Sequence, residues 1–169
     1  PPLVSPTPEY DYSISSDQIK LVRNALQSNN DKVVRDLIAG LHAADVADII
    51  EQLPHAQRIH FVDLLRPDFD PEILVALDEY IRDEVVHLLT SKELASAITN
   101  LQSDDAVAVY DDLDHELQQQ VLADISESDR QSLESSLDYE EESAGRLMLR
   151  EMIVAPDIWT IGQVIDSFE

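Results

Sequence analysis

Carboxylates are the groups through which this chain could do chemistry: 35 of its 169 residues are aspartate or glutamate, against 11 lysines and arginines, for a formal net charge of -24. Clustered carboxylates hold hard divalent cations such as magnesium or calcium through oxygen ligands, and a surface of that sign draws cations from solution. It also repels phosphate, and the basic stripe that counterion release requires is missing, which excludes nucleic acid as a partner. Most of the acidic residues are accounted for by a solvated surface. With no cysteine, disulfides, thiolate catalysis and sulfur-built zinc sites are ruled out, and a reducing compartment is expected. His42, His55, His60, His87 and His115 are scattered without ligand spacing and are expected in turns or on the surface, not around a transition metal. Ser143, Gly145 and Met148 suggest a nucleophile elbow only in their letters. No flanking strand, placed histidine or oxyanion loop accompanies them, so a turn at Gly145 is the better reading. No nucleophile, base and orienter occur together, and no enzymatic activity is expected.

Such side chains need elements to position them, and the chain supplies a register. Leu41, Leu53, Leu65, Leu77, Leu89, Leu101, Leu113, Ile125 and Leu137 recur every twelve residues. Four residues before each of the last eight stand Ile49, Phe61, Ile73, Val85, Ala97, Val109, Val121 and Leu133, and one further on Ile50, Val62, Leu74, Val86, Ile98, Tyr110, Leu122 and Glu134. Offsets of three and four share one face of an α-helix. Twelve residues hold a helix of roughly nine or ten and a short turn. A helix that short is marginal alone, so neighbouring units must stack and share a core. The prediction is an all-α solenoid of short antiparallel helices.

Ahead of the register, residues 1–15 read as a disordered or loosely docked lead. A first helix is expected near Ser16, capped by Ser16 or Asp17, with Ile19, Val22 and Leu26 on one face. Asn29 and Asn30 break it, and a second helix runs from about Asp31 to a stop at Gly40. Pro54 and Pro71 are expected at helix starts, Pro67 in a turn, and Ser91, Ser103 and either Ser126 or Ser128 as N-caps. Acidic residues fall early in these helices, where the macrodipole favours them. Beyond Leu137 the pattern changes to a charged end and a linker over 139–151. Met152 to Ala155 then reads as a short strand, and Thr160 to Phe168 as a helix with Trp159 packing at its start. No run approaches the roughly 18 apolar residues that span a bilayer. Because the sequence starts at Pro1 without methionine and stops at Glu169 inside a predicted helix, a piece of a longer protein is expected.

The run Leu41-His42-Ala43-Ala44-Asp45-Val46-Ala47-Asp48-Ile49-Ile50-Glu51-Gln52-Leu53-Pro54, the twelve-residue spacing, and Glu142-Ser143-Ala144-Gly145-Arg146-Leu147-Met148 followed by Ile153-Val154-Ala155-Pro156-Asp157-Ile158-Trp159-Thr160-Ile161-Gly162 closely resemble the cytosolic amino-terminal part of the MgtE magnesium transporters. The resemblance covers about residue 16 to the end. It implies a right-handed superhelical N domain over 16–138, the linker, and over 152–169 the first strand and helix of a pair of CBS modules. A homodimeric channel domain in the membrane would complete the protein, with this part at the cytoplasmic face. In that family the cytosolic part is similar to a magnesium sensor whose ions, held between N domain and CBS modules, favour the closed channel. Carried over by position, the resemblance assigns its glutamate ligand to Glu72, seven residues after Leu65, and its paired aspartates to Asp104 and Asp105, of which Asp104 matches the ligand. The family's further aspartate, four residues after Asp104, is Ala108 here, and Asp111 and Asp112 are the carboxylates that could compensate. Magnesium is the implied ion, with manganese or calcium as substitutes. A helical-repeat scaffold for protein partners is the competing reading.

Overall fold

The computed structural model describes residues 14–140, 143–146, 148, 160 and 161. Among the described residues ten α-helices follow one another: α1 Ser16–Gln27, α2 Asp31–Ile38, α3 Ala43–Gln52, α4 His55–Leu65, α5 Glu72–Ala76, α6 Glu79–Val86, α7 Ser91–Asn100, α8 Ser103–Asp111, α9 His115–Asp124 and α10 Glu127–Leu137, with a 3-10 turn at Arg66–Asp68. Among the described residues there is no strand. The expected strand at 152–155, most of the 160–168 helix, Trp159 and nearly all of the lead lie outside them.

The register governs where helices begin. Ala43, His55, Glu79, Ser91, Ser103, His115 and Glu127 each open a helix, at multiples of twelve residues. All eight side chains four places before a register residue, Ile49 to Leu133, are buried. The register residues themselves finish the helices: Leu53, Leu77, Leu101 and Ile125 are extended C-caps of α3, α5, α7 and α9, turning the chain while closing the core from its edge. After α4, α6, α8 and α10 the cap residue instead stays in the helical region. The two kinds of ending alternate, so the packing unit is a pair of helices. Accordingly α3 packs on α5, α7 on α9 and α8 on α10, each helix meeting its second neighbour.

One unit breaks step. By register a helix should begin at residue 67, yet α5 begins at Glu72 and has five residues. Pro71 is the cause. In a helix opened at Pro67 its ring would clash with the carbonyl four residues earlier and, lacking an N–H, it would leave that carbonyl without a donor, so the chain makes the 3-10 turn first and restarts behind Pro71.

Several caps differ from expectation by one residue. Ser15, not Ser16 or Asp17, caps α1, its hydroxyl accepting from the Gln18 amide at 3.2 Å. Thr90, not Ser91, caps α7, and Glu93 returns a bond to the Thr90 amide at 2.8 Å in a capping box. Gln102 occupies the cap of α8 without a side-chain bond, and Ser103 is its first helical residue. Ser126 is the cap of α10, accepting from Asp129 at 3.2 Å. Asn30 caps α2, and Gly40 follows it at a φ of 82°, a conformation that glycine adopts without steric penalty.

Candidate metal centre

Glu72 and the aspartate pair reach their places by different routes. The Pro71 restart sets Glu72 in the first turn of α5, exposed, with its amide donating to Asp70 Oδ1 at 3.0 Å. An open hollow of about 520 Å³ adjoins it, lined by Arg66, Asp70, Glu93 and Asn100 among others. Across that hollow Arg66 forks onto both oxygens of Glu93, at 2.9 and 2.7 Å. The Arg66 bond, joined by the amide and hydroxyl of Thr90, holds the Glu93 carboxyl down at about 2.

Asp104 and Asp105 are the second and third residues of α8, both half-buried. Asp104 Oδ1 is buried without any hydrogen-bond partner. Burial, followed by repulsion from Asp104, raises the Asp105 carboxyl above the usual aspartate range. Two adjacent carboxylates in a helix's first turn, one with an orphaned oxygen, present the hard donors that a divalent cation takes. Because α5 packs against α8, the helix opened by Glu72 and the helix that carries this pair in its first turn are neighbours. Yet among the described residues no group of three or more His, Asp or Glu side chains is placed to hold a metal ion. The donors fit magnesium as part of a site, which suits an ion that keeps several waters and often takes only one or two carboxylates.

Ala108 is exposed on α8. Neither candidate for replacing its missing carboxylate is idle: Asp112 pairs with Arg82 at 2.7 Å, and Asp111 pairs with Arg146.

Sequence reasoning missed a set of bridges between stacked helices. His60 Nε2 lies 3.0 Å from Asp31 Oδ1, His55 and Arg58 share the Glu84 carboxylate, and His87 Nε2 lies 3.2 Å from Asp114 Oδ2. Their partners are 26 to 29 residues away, a little over two register units, so periodicity within one unit could not reveal them. Arg58 also donates to the carbonyls of Ile50 and Leu53 at 3.0 Å each, closing the end of α3. A related signal was available in the spacing. Gln118 and Arg130 stand one register step apart, five and six steps beyond Arg58, and each likewise donates to the carbonyl eight residues earlier.

These features define a repeat domain of short, stacked helices with a polyanionic surface, in which most of the described arginines bridge units. Residues 41–142, more than half of the chain, match the family described as the MgtE intracellular N domain, and the chain belongs to that family. The family is one of transporter domains, not of enzymes. Among solved structures, one described as "Crystal structure of the soluble part of a magnesium transporter" is similar in fold, with 21% sequence identity and a TM-score of 0.67, covering 81% of this chain and 54% of that one. The chain thus spans about half the length of that solved chain. No curated protein matches it. Among the described residues no helix is long and apolar enough to cross a membrane.

Proposed function

We propose that the chain is the magnesium-sensing regulatory domain of a magnesium transporter, held at the cytoplasmic face of the membrane. In this reading Glu72 and Asp104, with Asp105 beside them, contribute carboxylates to magnesium ions shared with CBS modules of the same homodimeric protein. The observation that carries the proposal is the Asp104 oxygen, the carboxylate oxygen among the described residues that is buried without a hydrogen-bond partner, where native structures satisfy the large majority of such atoms. The net charge of -24 supplies the rest. Two acidic surfaces repel at contact and are only partly screened over a Debye length of about 8 Å. A bound ion supplies positive charge between them and therefore favours the docked arrangement by its differential affinity, which closes the channel.

Small-angle scattering on the protein extended through the CBS modules tests this, with and without magnesium at matched ionic strength. Compaction with magnesium that is blunted in Asp104→Ala is expected. Absence of compaction in the parent would instead favour the scaffold reading. A specific observation supports that rival: a partly apolar groove of about 250 Å³ opens between α7, α8 and α10, lined by Ile98, Leu101, Ala106 and Leu133 among others.

A further inference from the structure

We infer that Arg146 is a latch that ties the turn following α10 onto the C-terminal ends of α8 and α10, so that the chain leaves the helical stack in one fixed direction. The last carbonyls of a helix have no partners within it, and α10 ends without a basic residue in its last turn. Arg146 supplies the missing donors from outside. Its Nη1 donates to the Leu137 carbonyl at 2.9 Å and to those of Ser136 and Tyr139 at 3.4 Å, while Nη2 pairs with the Asp111 carboxylate at the end of α8. A planar, permanently charged fork can serve carbonyls with one arm and a carboxylate with the other, which an ammonium on a flexible stem cannot do in the same geometry. The side chain is 11% exposed, so the guanidinium is withdrawn from water.

The turn that carries Arg146 is shaped to bring it there. Ser143 donates its amide to Glu140 at 2.9 Å, and the Arg146 amide donates to the Ser143 carbonyl at 3.1 Å. Gly145 is pressed on the ring of Tyr139, where a Cβ would collide with the ring's Cδ1. Glycine is thus required by close approach, and the serine, glycine and arginine of this turn act together. The latch gives α8 two ends with two tasks: Asp104 and Asp105 at its start, Asp111 holding the outgoing chain at its finish. It stands whether or not α8 binds an ion.

The chain has no cysteine, so spin labels can be placed at Gln119→Cys on α9 and Met148→Cys, both exposed positions, in the full chain. The parent is expected to give a narrow distance distribution that broadens in Asp111→Asn and in Arg146→Lys. In the unlabelled chain, trypsin is expected to cut after residue 146 about tenfold faster in either variant, the scale of losing one charge-assisted bond. Cutting after the buried Arg58 should stay unchanged and so report that the fold is intact. Gly145→Ala, which drives a methyl group into Tyr139, should release the same bond while leaving both of its charged side chains in place. Unchanged distances and unchanged cutting at residue 146 in Asp111→Asn and Arg146→Lys would overturn the latch. So would acceleration at Arg58 to the same extent, since the effect would then be global unfolding.

Discussion

Asp104 and Asp105 stand half-buried in a first turn, where the helix dipole favours a carboxylate by about 0.3–1 kcal/mol at an exposed site and by up to about 2 kcal/mol at a partly buried one. Asp104→Ala should therefore leave stability within about 2 kcal/mol of the parent, measured by denaturant unfolding, while reducing magnesium-dependent docking. A large loss of stability with docking intact would make Asp104 a structural residue. His87 makes a different demand. Its Nδ1 lies 2.7 Å from the Asp83 carbonyl and its Nε2 3.2 Å from Asp114, so both ring nitrogens face acceptors and the protonated ring suits both. The bond to the Asp83 carbonyl comes first among the causes that raise it, and burial opposes them. With a folded value above 6.5, its contribution is fully present below that pH and is lost as pH rises through the folded value. Stability should fall over that window by under about 1 kcal/mol, because the pair is half exposed. His87→Gln should remove that part of the slope in unfolding curves taken across neutral pH. Glu93 has the opposite sign: held at about 2, it contributes above its ordinary 4.5 and loses that contribution as acid approaches 2.

At the scale of the element, each helix depends on what closes its ends. Leu101 is the extended C-cap of α7 and is 7% exposed, so it serves both as terminator and as core. Leu101→Ala should cost about 2–5 kcal/mol by urea denaturation; a near-neutral result would count against a shared core. Arg58 closes α3 through two carbonyls and meets Glu84 on α6, and its truncation to alanine should cost about 1.5–3 kcal/mol through the lost charge-assisted bonds. The short α5 is where the register is interrupted. Pro71 spoils the register and, in doing so, sets Glu72 at a fresh helix start beside the hollow that Arg66 and Glu93 share.

For the whole molecule, a net charge of -24 on one compact stack works against folding by self-repulsion. The bridges Arg58–Glu84, Arg66–Glu93 and Arg82–Asp112 offset part of it where helices meet. Raising monovalent salt from low ionic strength to about 0.15 M should therefore raise the melting temperature, as screening shortens the Debye length to about 8 Å. A falling melting temperature would mean that the bridges outweigh the repulsion. Magnesium at matched ionic strength separates specific binding from this diffuse effect.

The inward face of every repeat was legible in the sequence because it depends on neighbours three and four residues apart, and helix geometry is local. Ile49, Phe61, Ile73, Val85, Ala97, Val109, Val121 and Leu133 were named from spacing, and all are buried. The positions of Asp104 and Asp105 in a first turn were legible for the same reason. The polar pairing was not. Whether Asp111 and Asp112 are idle or held by Arg146 and Arg82 depends on how units stack. Those partners are about 30 residues or more apart, and charge has no period to read. Only the tertiary structure also left Asp104 Oδ1 buried without a partner, since burial there is decided by the surrounding helices and not by the turn that carries it.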